Sequence, residues 1–184
     1  MTDSSALTAL RPDRAVLVVI DVQTAFRPVI EDFARIAARS ARMVQGARAL
    51  GIPILVTEQY PDGLGTTVPE IADVLPDDAP RLPKTVFSAT RAPGFHLSGR
   101  DQVLLVGIEA HVCVQATALD LRRQGLLVHV ATDAVGSRTA EDRAAGLGRV
   151  SAAGAVLGTT ESMLLELLGD ARSPQFKTIQ ELIR

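Results

Sequence analysis

A chain of 184 residues with 47% hydrophobic content carries enough apolar material for one compact core. Its formal charge of −2 and its single cysteine argue against a nucleic-acid binder and exclude an internal disulfide or a multi-cysteine zinc site. No apolar run reaches the roughly 18–20 residues of a membrane helix, and residues 1–10 lack the charged-then-apolar order of a secretory leader, so the expectation is no membrane and a reducing cytoplasm.

In chain order, residues 1–13 read as a flexible start to a single domain spanning 1–184. Ala15–Ile20 (AVLVVI) is a continuous, largely β-branched run, the pattern of a strand buried on both faces. Residues 54–57, 103–108 (VLLVGI), 127–131 and 155–159 read the same way, with a short strand expected at 85–88. Helix-period stretches lie between them, near 32–50, 112–124 and 139–153, the last opening on Thr139 and Asp142 at capping-box spacing. Gly51, Gly125 and Gly154 stand where helices must end before a strand. A helix near 162–168 follows, then a final one capped by Ser173 with Pro174 at its first position. Strand and helix alternating in this way imply right-handed crossovers and an α/β fold, a Rossmann-like three-layer αβα sandwich with a mainly parallel sheet of about six strands. In such sheets ligands bind beyond the carboxyl ends of the strands.

Those ends carry the candidates for chemistry. The first strand runs into Asp21, with Gln23 and Phe26 following in the turn as expected lining of a pocket wall. The second delivers Glu58, which reads either as a solvated loop acid or as a pocket residue. Lys84 precedes the short strand, and alone it reads as a surface charge. The fourth strand runs into Gly107-Ile108-Glu109-Ala110-His111-Val112-Cys113, with helical periodicity beginning at about the cysteine. A thiol at a helix N-terminus faces unpaired N–H groups, which favour thiolate. A free cysteine is equally at home as a small buried hydrophobe. Together the three are coherent: Asp21 can take a proton from Cys113, and Lys84 can offset the negative charge the two would share. His111 reads as a turn residue rather than a base, His96 as a surface-loop residue and His129 as structural. None of the three has ligand-like spacing with another, so neither metal nor cofactor is expected.

The ordered set Val18-Val19-Ile20-Asp21-Val22-Gln23, Pro83-Lys84 ahead of Phe87-Ser88, and Gly107 to Cys113 followed by Thr117 and Asp120 resembles the isochorismatase-like cysteine hydrolases. The TEQYP and EAHVC stretches and residues 166–170 look most like the isochorismatase domain-containing branch. The resemblance implies a catalytic Asp21, Lys84 and Cys113. It also implies a non-proline cis peptide joining Ile108 to Glu109, with Ile108 beside the pocket. An oxyanion hole would come from the N–H groups of Glu109 and Cys113. Residues 58–61 lack the His pair that metal-binding nicotinamidases carry there. The presence of Cys113 points away from vinyl-ether cleavage and toward a small amide or ester substrate hydrolysed through a thioester. A homo-oligomer is expected, with residues 163–168 and 176–183 as apolar surfaces for it. The rival readings are a non-catalytic binding or scaffold protein and a redox-sensing thiol.

Overall fold

The computed structural model describes residues 9–184, and among them six strands form one parallel sheet in the order β3-β2-β1-β4-β5-β6. The strands are β1 (Ala15–Ile20), β2 (Ile54–Gln59), β3 (Arg81–Lys84), β4 (Gln102–Ile108), β5 (Leu127–Gly136) and β6 (Val156–Gly158). Helix α1 (Phe33–Ala49) links β1 to β2, and the single-turn α2 (Pro61–Leu64) and α3 (Pro69–Ala72) lie between β2 and β3. A wide turn at Ala110–Val114 leads from β4 into α4 (Gln115–Arg123), and α5 (Ala140–Ala152), α6 (Thr160–Leu168) and α7 (Phe176–Ile183) complete the chain.

Alternation along the strands feeds two cores. Leu17, Val19, Leu104 and Val106 face Ile36, Val44, Leu164 and Ile179 on the α1, α6 and α7 side. Val16, Val18, Val103 and Leu105 face Ala118, Leu121 and Val150 on the α4 and α5 side. All six residues of β1 and all seven of β4 are buried, which is why both read as unbroken apolar runs.

Two expected elements move. The strand before the loop is Arg81–Lys84, not 85–88; Pro83 sits inside it because β3 is an edge strand, where a missing N–H interrupts no ladder. The last helix starts at Phe176 after Gln175, while Ser173 and Pro174 form the preceding turn, in which the Phe176 N–H donates to the Ser173 carbonyl. Of the expected flexible start, residues 1–8 lie outside the described residues. Leu10 is buried, its N–H donates to Glu166, and the Arg11 N–H donates to Gln102, so this end of the segment is held to the body.

The chain winds outward from β1 to β2 and β3 on one side, then returns to place β4 on the other side of β1. The strand order therefore reverses between β1 and β4, the kind of place where open α/β sheets bind ligands. Gly107 lies on this seam with φ +122°, and a Cβ there would stand 2.0 Å from the Ile20 carbonyl oxygen. No side chain fits, which explains the glycine.

Candidate active site

Asp21 ends β1 with φ +54°, a left-handed conformation that aspartate tolerates better than most residues and that turns the chain sharply out of the strand. Its carboxylate is fully engaged. Oδ1 accepts from the Thr57 hydroxyl at 2.7 Å and Oδ2 accepts from Lys84 Nζ at 2.6 Å. The ion pair is out of water, with 0% of the lysine and 1% of the aspartate side chain exposed. Lys84 Nζ also donates to Gln59 Oε1 at 2.6 Å and, at 3.2 Å each, to the carbonyls of Val86 and Phe87. An ammonium has three donors, so the two carbonyls share the last one.

Cys113 reaches the same place from β4. The Ile108–Glu109 peptide is cis, and both Val112 and Val114 N–H groups donate to the Glu109 carbonyl. The Glu109 side chain is drawn away to Arg138, from which it accepts both the backbone N–H and Nε. His111 turns the same way, its Nδ1 lying 3.0 Å from the Ser137 hydroxyl. Helix α5 closes on this turn, and a Cβ at Gly146 would meet Ala110 and His111 backbone at 2.7 Å. Thr117 locks the inner side by donating to the Cys113 carbonyl while accepting the Ala89 N–H.

The thiol is buried, and its pKa is pushed up from 9.0 to about 12 by burial and by the Asp21 carboxylate, with the Lys84 ammonium opposing. Asp21 and Lys84 are thus both close enough to act on Cys113 by charge. Burial and the Asp21 carboxylate act against the thiolate that a helix terminus favours. Cys113 lies within the wide turn that runs directly into α4.

The structure also redistributes the expected pocket residues. Glu58 points away and accepts both the N–H and the hydroxyl of Thr67 at 2.7 Å. Gln23 is wholly buried and clamps the Gln59 backbone from both sides, also donating to the Gly65 carbonyl. Phe26 packs against the α1-side core, and Ile108 lies inside it. These contacts fix all four residues in the frame around the strand ends. The residues that touch the charged pair are Thr57 and Gln59. Strand parity could have found them, since in β2 they share the face opposite Glu58.

Two cavities flank the loop of residues 85–88. One, of about 570 Å³, is lined by that loop and by α4 from Gln115 to Arg123. The other, of about 530 Å³, lies between Tyr60, Pro61, Pro83 and Pro93. Lys84 borders the second through its main chain, because its side chain is buried. No group of three or more His, Cys, Asp or Glu side chains placed to hold a metal ion occurs among the described residues. Nor is any described helix long and apolar enough to cross a membrane.

A parallel α/β domain with an acid, an amine and a thiol meeting at its topological switch has the architecture of the isochorismatase-like hydrolases. The chain belongs to the isochorismatase domain family, whose model matches residues 15–162. Mouse isochorismatase domain-containing protein 2A is 45% identical, the match covering 98% of this chain and 87% of the mouse protein. Among solved structures, the MAR1 ribonuclease of Caenorhabditis elegans superposes with a TM-score of 0.92 at 44% identity, over 95% of this chain and 91% of that one. YcaC of Pseudomonas aeruginosa, solved with hexane-2,5-diol and covalent acrylamide, gives 0.87 at 26% identity over 95% and 91%. The YcaC product of Escherichia coli, an octameric hydrolase of unknown specificity, gives 0.83 at 25% over 95% and 89%.

Proposed function

We propose that the protein is a cysteine hydrolase of small carbonyl compounds, amides above all, acting through a thioester on Cys113. The observation that carries this reading is the buried ion pair of Asp21 and Lys84 acting on the one thiol of the chain. Asp21 takes the thiol proton as Sγ bonds to the substrate carbonyl carbon and the carbonyl π electrons move to oxygen. The N–H groups of Glu109 and Cys113 receive that oxyanion; one such donor contributes about 3 kcal/mol to a transition state. Collapse breaks the C–N or C–O bond, and Asp21 returns the proton to the leaving group. Water then attacks the thioester as Asp21 takes its proton, and the expelled sulfur takes that proton back. Lys84 keeps Asp21 ionised between steps. No metal or cofactor enters this sequence.

Proton removal coupled to attack suits a thiol whose pKa is pushed up by burial and by the Asp21 carboxylate. Covalent acrylamide in one YcaC structure belongs to that protein, and it supports an amide-sized electrophile for this one. The octameric YcaC likewise supports self-association here. The ribonuclease name belongs to the C. elegans protein; for this chain a charge of −2 weighs against RNA, which is held chiefly by lysine and arginine on phosphate.

The test is intact-mass spectrometry during turnover of a panel of small amides, ureides, esters and a short RNA. An acyl adduct on Cys113 that forms and clears with an amide or ester is the expected result. Full turnover by Cys113→Ala, or cleavage of RNA alone, would overturn the proposal.

A further inference from the structure

The cavity against α4 carries charge that the proposed chemistry does not use. Its wall is apolar at Val86, Phe87, Ala116 and Leu119, and its rim holds Arg91, Asp120 and Arg123. Asp120 is largely covered, with 13% of its side chain exposed, and it accepts Arg91 Nε at 3.1 Å and Arg123 Nη1 at 2.9 Å. Each arginine gives this carboxylate one nitrogen. Of the five N–H donors on a guanidinium, the remainder on both stay available, and the cluster keeps one net positive charge. The two arginine side chains are 68% and 70% exposed, so both can face a ligand entering from solvent.

The rim follows the thiol in the chain, although Cys113 itself is buried and does not line the cavity. Ala116, Asp120 and Arg123 share one stripe of α4, the helix that begins directly after the Cys113 turn. From Gln115 to Arg123 the cavity floor follows about 12 Å of helix. Its opposite wall is the loop whose Val86 and Phe87 carbonyls hold Lys84 Nζ. An apolar trough with a planar cationic end fits a ligand with an apolar body and a single terminal anion, for which a carboxylate is the fork-matched partner.

Building on the hydrolase reading above, we propose that this cavity holds the distal carboxylate of an acyl amide on Arg91 and Arg123, so that the substrates are ω-carboxy acyl amides rather than neutral ones. The probes are primary amides from succinamate to suberamate, each paired with its methyl ester at the far end. Binding is measured by calorimetry on Cys113→Ala, and ammonia release on the unmodified protein.

The carboxylate form should bind about tenfold more tightly than its ester, a preference that shrinks as salt is raised because the arginines are exposed. In Arg91→Gln/Arg123→Gln, with folding checked by circular dichroism, the ratio should fall to about one. Equal binding of acid and ester to Cys113→Ala, a salt-independent preference, or a preference that survives in the double variant overturns the proposal. So does inorganic phosphate displacing suberamate at equal or better affinity, which would make the rim a phosphate site. Carboxylate preference without ammonia release from any probe would instead sink the hydrolase reading and leave the cavity assignment standing.

Discussion

Two of the molecule's ion-paired carboxylates, Asp21 and Asp120, sit in opposite surroundings. Asp21 and Lys84 are dry, and every oxygen and proton on them has a fixed partner. Asp120 binds two arginines at the mouth of a cavity, where water screens the pairs and donors remain free. Out of water a charge cannot be reoriented cheaply, so it sets the protonation of its neighbour. At the rim the same chemistry makes a receptive surface. Depth, not residue type, separates the two pairs.

The largest effect expected from breaking this contrast is Cys113→Ala, which should abolish turnover, a loss of at least about 10³-fold in product release. Lys84→Met should come next. It leaves the Asp21 carboxylate buried without its cation and should cost about 3–5 kcal/mol of stability, read as a lowered urea midpoint. Asp21→Asn sharpens the assignment of roles, because two readouts should move in opposite directions. Turnover should fall by about 10²-fold or more as the base is lost. Iodoacetamide should meanwhile alkylate Cys113 faster, since an anion that holds the thiol pKa up has gone. Slower alkylation would mean Asp21 is not beside the sulfur.

A smaller effect concerns alkaline pH. The unfolded chain ionises its thiol above about pH 9, while the folded chain keeps the proton until about pH 12. Folding therefore loses stability as pH rises through that window, by up to about 1.4 kcal/mol per pH unit from this group. Denaturation of Cys113→Ala from pH 9 upward should show a shallower decline than the unmodified protein. At the rim, Arg123→Ala should leave the urea midpoint unchanged, because the pair it breaks is mostly solvated.

Much of this was legible before any coordinates. Unbroken β-branched runs marked β1 and β4 because both faces of a central parallel strand are buried. The carboxyl-edge rule then pointed to Asp21 and Cys113, while Lys84 was marked by the family resemblance and reaches a strand end only because β3 is Arg81–Lys84. Side-chain direction was harder to read. The sequence leaves Glu58 open between a loop acid and a pocket residue; alternation along β2 turns it to Thr67 and presents Thr57 and Gln59 to the ion pair. Pro83 hid an edge strand because proline reads as a breaker until the strand's place in the sheet is known.

Local pattern alone thus determined most strands and helices, and the acid and thiol that follow two of the strands, since hydrophobic period and strand termini are properties of neighbouring residues. Only the tertiary structure decided how deeply the sulfur is buried and which of Asp21 and Asp120 is shut off from water. Burial is set by what distant segments pack overhead, and the cost of a charge depends on how much water that packing leaves.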